Sequence, residues 1–201
     1  MTKPPIAFYF DFSSPYGYIA AHRIEALGVA TGRRVDWHPI LLGVVFKETG
    51  QSPLLTQKLR GPYHAHDLAR TARRFGIPFR LPEGFPMATM AAARAFYWAT
   101  DTAPDRAKAL ALALFDAAFA AGINITRAET VAEIAGRAGF DAGAVTAAIA
   151  DPAIKERLKA ETDAAIAKGV FGSPYFIVDG EPFWGHDRLA DLQDWIQGGG
   201  W

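Results

Sequence analysis

Hydrophobic and polar positions alternate in a way that divides the chain into three stretches. Ile6 to Phe12 (IAFYFDF) is a short aromatic and β-branched run, the pattern of a buried strand. Ser14-Pro15 then reads as a helix start, with Ser14 as cap and Pro15 in the first turn. Ile19, His22, Arg23 and Ala26-Leu27 carry that helix to Gly28 or Gly32. Arg34 to Ile40 (RVDWHPI) predicts a second strand, and Pro39 puts it at an edge or a strand end. The first forty residues thus predict a β-α-β unit with parallel strands and a right-handed crossover.

The middle stretch is different in kind. Pro62 to Phe75, Met87 to Thr100, Pro104 to Ala121, Arg127 to Ala138, Asp141 to Ile149 and Pro152 to Lys168 are Ala-rich helical segments divided by Gly, Pro, Asp or Thr. In the third of them Ala107, Leu110, Ala111, Leu114, Phe115 and Ala118 form one apolar face of period 3.6. Strand character returns at Tyr175 to Val178, followed by an Asp179-Gly180 hairpin signal and a strand from Glu181 to Trp184. A last helix is expected over Asp187 to Ile196, before a Gly198-Gly199-Gly200 tail. The order β-α-β, helices, β-β-α is a thioredoxin-type arrangement. The expected fold is α/β and thioredoxin-like with an inserted all-helical domain: residues 1–45 and 169–201 form the thioredoxin-like part and 46–168 the insertion.

Composition narrows the function. With 21 basic and 21 acidic residues the chain carries no net charge at neutral pH, so no global field attracts nucleic acid or an anionic membrane. It has no cysteine, which removes disulfides, thiolate metal sites and a protein thiol nucleophile together. No run of 18 apolar residues is long enough to span a bilayer, and the start (MTKPP, then an apolar run broken by Asp11) is not a signal peptide. A cytoplasmic location is the resulting expectation. There is no GxGxxG, P-loop or G-x-S-x-G motif and no metalloprotease-type His pattern, so no metal is expected.

Three short motifs could carry chemistry. Asp11-Phe12-Ser13-Ser14-Pro15-Tyr16 leaves the first strand and opens the first helix, where unpaired N–H groups and the helix dipole favour a thiolate. Thioredoxin-like redox proteins keep their reactive cysteine at this place; here Ser14 offers a hydroxyl, able to donate to another molecule's sulfur or simply to cap the helix. Gly172-Ser173-Pro174-Tyr175 enters the third strand; a cis Ser173-Pro174 bond would turn the Ser173 backbone outward, a trans one would be an ordinary strand entry. Phe183-Trp184-Gly185-His186-Asp187-Arg188 turns into a helix N-terminus, and Asp187 is either its cap or a partner for a ligand's ammonium. Lys47, after the second strand, and Lys58 and Arg60, which follow it, are each a cation for an acidic substrate or a solvated surface charge.

Taken in this order, the runs FYFDFSSPYGY (Phe8 to Tyr18), GVFGSP (Gly169 to Pro174) and FWGHDRL (Phe183 to Leu189) resemble those of 2-hydroxychromene-2-carboxylate isomerases. These are relatives of kappa-class glutathione transferases in the DsbA-like group. The resemblance implies glutathione as cofactor, with Ser14 as the catalytic serine at its sulfur. It implies that Ser173, before a cis Pro174, pairs with the cysteinyl part, and that Trp184, Gly185, His186 and Asp187 hold the γ-glutamyl end. Lys47 is implied at the carboxylate of a small aromatic substrate. The chain departs from the family where Gln51 follows Gly50 in place of an Asn, before Ser52-Pro53-Leu54-Leu55. Phe12, Tyr16, Trp37, Phe46, Phe85 and Trp98 are candidate pocket walls. The implied activity is a glutathione-dependent isomerase; a kappa-type transferase or peroxidase, and a non-catalytic binding protein, are the other readings. A homodimer is compatible with the apolar helices.

Overall fold

The computed structural model describes residues 3–201; Met1 and Thr2, with which the stretch read above as no signal peptide begins, lie outside it. Its strands are β1 (Ile6–Phe10), β2 (Val35–Pro39), β3 (Tyr175–Val178) and β4 (Glu181–Trp184). The helices are α1 (Pro15–Thr31), α2 (Leu42–Thr49), α3 (Arg60–Phe75), α4 (Met90–Thr102), α5 (Pro104–Phe119), α6 (Ala128–Arg137), α7 (Ala142–Ala150), α8 (Pro152–Ala167) and α9 (Leu189–Gly198). The strands form one sheet in the order β2-β1-β3-β4, with β1 parallel to β2 and antiparallel to β3, which is antiparallel to β4. The expected β-α-β and β-β-α halves therefore close on one another through the β1–β3 pairing, Phe8 opposite Phe176.

Alternation along β1 divides its side chains between two cores. Phe8 and Phe10 stack on one face at 4.9 Å, Phe8 stacks on Phe176 at 5.3 Å, and Phe10 meets Phe115 of α5 at 5.4 Å. On the other face Tyr9 packs with Ile40, Leu42, Val45, Ala165, Val170 and Tyr175. Leu158 of α8 belongs to the first core and Ala165 to the second, so α8 touches both the helical lobe and the sheet. We keep 1–45, 46–168 and 169–201 as a proposed division of the chain, with α8 as the helix that joins its parts. No helix of the described residues is long and apolar enough to cross a membrane.

The helix boundaries follow local signals where these exist. Ser14 caps α1 by accepting from the Gly17 N–H, Pro15 occupies its first turn, and Gly32 (φ 64°) ends it. Two elements fall where no element was expected: α2 and a short 3₁₀ turn at Leu54–Thr56. Leu41, before α2, offers no capping side chain; the helix is started instead by the Leu42 N–H donating to Asp11 Oδ2 at 2.7 Å. A helix whose start is supplied from thirty-one residues away gives no local signal. At the other end, the helix expected from Asp187 begins as a 3₁₀ turn over His186–Arg188 and becomes α-helical at Leu189.

Candidate active site

Asp11 organises the C-terminal end of β1. It stands in an otherwise apolar run, is 3% exposed, and its carboxylate accepts from three elements. Oδ1 takes the Ser13 N–H (2.7 Å) and the Thr89 hydroxyl (2.5 Å), and Oδ2 takes the Leu42 N–H. Its own N–H donates to Ser173 Oγ at 3.0 Å. Asp11 thus fixes the loop before α1, the start of α2 and the residue before α4 through its carboxylate, and the loop before β3 through its N–H. Thr89 follows closely on a cis peptide at Phe85-Pro86, and the Ser173-Pro174 bond is also cis.

Ser14 is 6% exposed and its hydroxyl is used twice. It accepts from Gly17 N at 3.0 Å and donates to the Ser173 carbonyl at 2.9 Å. Pro15 has no N–H and the Gly17 N–H is taken by the cap, so the Tyr16 N–H is the first-turn donor of α1 without a partner among the described residues.

These residues face a cleft of about 430 Å³. One wall is Ser14, Gly172, Ser173 and Trp184; a second is Leu42, Phe46, Gln51 and Leu54; a third is Tyr16, Arg60, His64 and Leu68 from α1 and α3. Phe85 and cis Pro86 also border it. The wall formed by α3 depends on a close approach, because a Cβ built on Gly61 would lie 2.5 Å from the Leu55 carbonyl oxygen. We expect Gly61→Ala to push α3 from the Leu54–Thr56 turn and to cost about 1–3 kcal/mol. Urea denaturation checks this; a variant as stable as the parent would show that the approach constrains nothing.

The positions singled out in the sequence are distributed unevenly around this cleft. Ser14, Ser173 and Trp184 line it, whereas Pro174, Gly185, His186 and Asp187 do not. Gly185, at φ 111°, donates its N–H to the Pro174 carbonyl at 3.0 Å and so ties the two motifs together. The His186 ring stacks flat on Tyr16 (5.0 Å, 6°), and burial holds its imidazole below the usual histidine range. Asp187 is mostly exposed and lies 3.8 Å from Arg188. Lys47 is exposed on α2 and does not line the cleft, which contains no lysine; its cation is Arg60, which forms no ion pair among the described residues. Of the six aromatic candidates Tyr16, Phe46 and Phe85 are walls, while Phe12 and Trp37 are core and Trp98 packs on Phe140.

Three contributions went unread in the sequence. Asp11 had a signal, an acid interrupting a buried strand. His64 had one too, since it lies four residues beyond Arg60, one of the cations expected for an acidic substrate, and residues four apart share a helix face. The pairing of Tyr16 with Asp67 had none, because fifty-one residues separate them.

The DSBA-like thioredoxin domain matches residues 5–197. The chain belongs to this family. Within the DsbA-like family it is 30% identical over 190 residues to the 2-hydroxychromene-2-carboxylate isomerase of Pseudomonas putida, covering 94% of this chain and 92% of the relative. It is 25% identical over 199 residues to human glutathione S-transferase kappa 1, covering 93% and 88%. The solved structure of a 2-hydroxychromene-2-carboxylate isomerase matches with a TM-score of 0.87 at 30% identity, over 96% of this chain and 94% of that one. The thioredoxin-like fold expected from the element order is thereby established, in a chain with Ser14 at the start of α1 and no cysteine.

Proposed function

We propose that this protein is a glutathione-dependent isomerase that converts 2-hydroxychromene-2-carboxylate-type substrates to trans-o-hydroxybenzylidenepyruvate-type products. The observation that carries the reading is Ser14: a hydroxyl at the start of α1, on the wall of the cleft, in a chain without cysteine. The donors present fit a thiolate. The Ser14 hydroxyl and the Tyr16 N–H lie at the positive end of the α1 dipole, and Ser173 and Trp184 line the adjacent wall. Glutathione supplies, when bound, the thiolate that adds reversibly to the substrate's conjugated system and allows rotation about the former double bond.

The chain's residues do the rest. Ser14 has one proton, held here by the Ser173 carbonyl; a sulfur at this wall competes for it while Ser14 Oγ keeps the Gly17 N–H. Serine also forms no mixed disulfide, so the thiol leaves unchanged. The wall opposite α2 brings a guanidinium, and we assign the substrate carboxylate to Arg60 rather than to Lys47. Phe46, Phe85 and Tyr16 give the flat apolar surface an aromatic ring needs.

Spectroscopic turnover of 2-hydroxychromene-2-carboxylate with and without glutathione tests the reading. Turnover that requires glutathione and does not consume it is expected; absence of turnover at every glutathione concentration sinks it. The similarity to the kappa transferase supports a second reading on the same cleft, and net consumption of glutathione by an electrophile would favour it. For the carboxylate, Arg60→Gln is expected to raise KM about 10–100-fold, the loss of one charge-assisted hydrogen bond. Lys47→Gln is expected to leave KM within about twofold, since an exposed solvated charge contributes little. Equal effects of the two substitutions would contradict the assignment.

A further inference from the structure

The α3 wall of the cleft holds a chain of polar groups that the Ser14 side does not use. The Tyr16 hydroxyl donates to Asp67 Oδ2 at 2.6 Å, and His64 Nδ1 lies 3.1 Å from the same phenolic oxygen. A phenol has a single proton, so with that proton on the Asp67 bond the oxygen is an acceptor and His64 Nδ1 carries the hydrogen. Neutral His64 then has its lone pair on Nε2, and the residue lines the cleft. The order of donors is fixed from behind. Arg70 Nε donates to Asp67 Oδ1 at 2.8 Å, and Arg70 also donates to the Tyr63 hydroxyl at 3.0 Å.

Electrostatics favour the same assignment. The Tyr16 phenol is pushed well above its usual range, by burial first and by Asp67 second, so it stays protonated. The Asp67 carboxyl is held below the usual range: burial opposes its charge, but the hydrogen bonds from Tyr16 and Arg70 outweigh that effect. The flat stacking of His186 on Tyr16 holds the ring that orients His64.

We propose that His64 is the general acid–base of this cleft and that Tyr16, Asp67 and Arg70 are its positioning residues. The inference rests on the isomerase reading for its substrate, but it concerns a step that does not involve the thiol. A 2-hydroxychromene-2-carboxylate is a cyclic hemiketal, and its ring must open for any rotation to occur. His64 Nε2 takes the proton of the hemiketal hydroxyl. The C2–O bond to the ring oxygen breaks, its electron pair goes to that oxygen as phenoxide, and the former hydroxyl oxygen becomes the C2 carbonyl. His64 then returns the proton to the phenoxide. Atoms and charge balance with no co-reactant.

Exchange between the cyclic hemiketal and the open cis keto acid can be measured by NMR magnetisation transfer on the protein without glutathione. The protein is expected to accelerate this exchange, and His64→Gln to reduce the acceleration about 100-fold, the range of a lost general base. Tyr16→Phe, which frees the imidazole to adopt the wrong tautomer, is expected to reduce it about tenfold, at the lower end of such effects. Added imidazole is expected to restore exchange in His64→Ala, an outcome that a merely structural histidine does not produce. Full acceleration in His64→Gln overturns the proposal. So does glutathione-dependent turnover by a protein that does not accelerate exchange, in which case the isomerase reading stands alone. Acceleration without turnover leaves His64 in its acid–base role and removes the isomerase reading, and absence of both removes the two together.

Discussion

Ser14→Ala is expected to lower kcat/KM for glutathione-dependent turnover about 10²–10³-fold, the usual consequence of removing one preorganised donor to a developing or resident negative charge. The same substitution removes a helix cap and a link between two loops, since Ser14 Oγ accepts from Gly17 N and donates to the Ser173 carbonyl. Those losses have their own signature. Loss of an N-cap costs about 1 kcal/mol of stability, which is a shift of a few degrees in Tm for a chain of this size. Steady-state kinetics and thermal unfolding, run on the same variant, separate the two roles. A rate loss of two orders of magnitude with a small Tm shift supports Ser14 at the sulfur. A variant that keeps its full rate leaves Ser14 as a cap and nothing more. Ser14→Cys is the complementary change. It places a thiol at a helix N-terminus, and a mixed disulfide with oxidised glutathione is then expected by mass spectrometry, the state that serine avoids.

Asp11→Ala is expected to destabilise the fold more than any other substitution proposed, by about 3–5 kcal/mol. The side chain is buried, and its removal leaves the Ser13 N–H, the Leu42 N–H and the Thr89 hydroxyl without their acceptor. Each buried donor stranded in this way costs about 1–3 kcal/mol, with partial relief from relaxation and water. Against a total stability of about 5–15 kcal/mol, that loss is large enough to populate unfolded protein at ordinary temperatures. Asp11→Asn keeps one oxygen but turns an N–H₂ toward a donor, and it should fall between the two. Urea denaturation measures all three proteins. A loss below about 1 kcal/mol for the alanine variant, within the range of an ordinary surface substitution, would mean that the network reorganises freely around the gap.

The Asp11 network also explains why part of the site was legible and part was not. Ser14, Ser173 and Trp184 are found from motifs because each sits at a local punctuation mark: a helix cap, a strand-entry proline, a strand end before glycine. Lys47 is singled out by its position in the chain and by the family resemblance, on the expectation of a loop after β2. The chain instead forms α2 there, because Asp11 supplies the cap that Leu41 lacks, and Lys47 is exposed and does not line the cleft. Arg60 takes its place at the cleft because Gly61 allows α3 to approach Leu55 closely.

The sequence by itself determined the strands, the helical middle and the chemistry that is unavailable. Periodicity, caps and turn residues act over a few positions, and a residue type that is missing is missing in any fold. It also placed a serine at the start of α1 in a chain with no cysteine. Only the tertiary structure decided what surrounds that serine. Its hydroxyl meets a carbonyl 159 residues away, and the Tyr16 hydroxyl that orients His64 donates to a carboxylate 51 residues on. Such pairs leave no periodic trace because their energy is gained only when the sheet and the helices have already closed on one another.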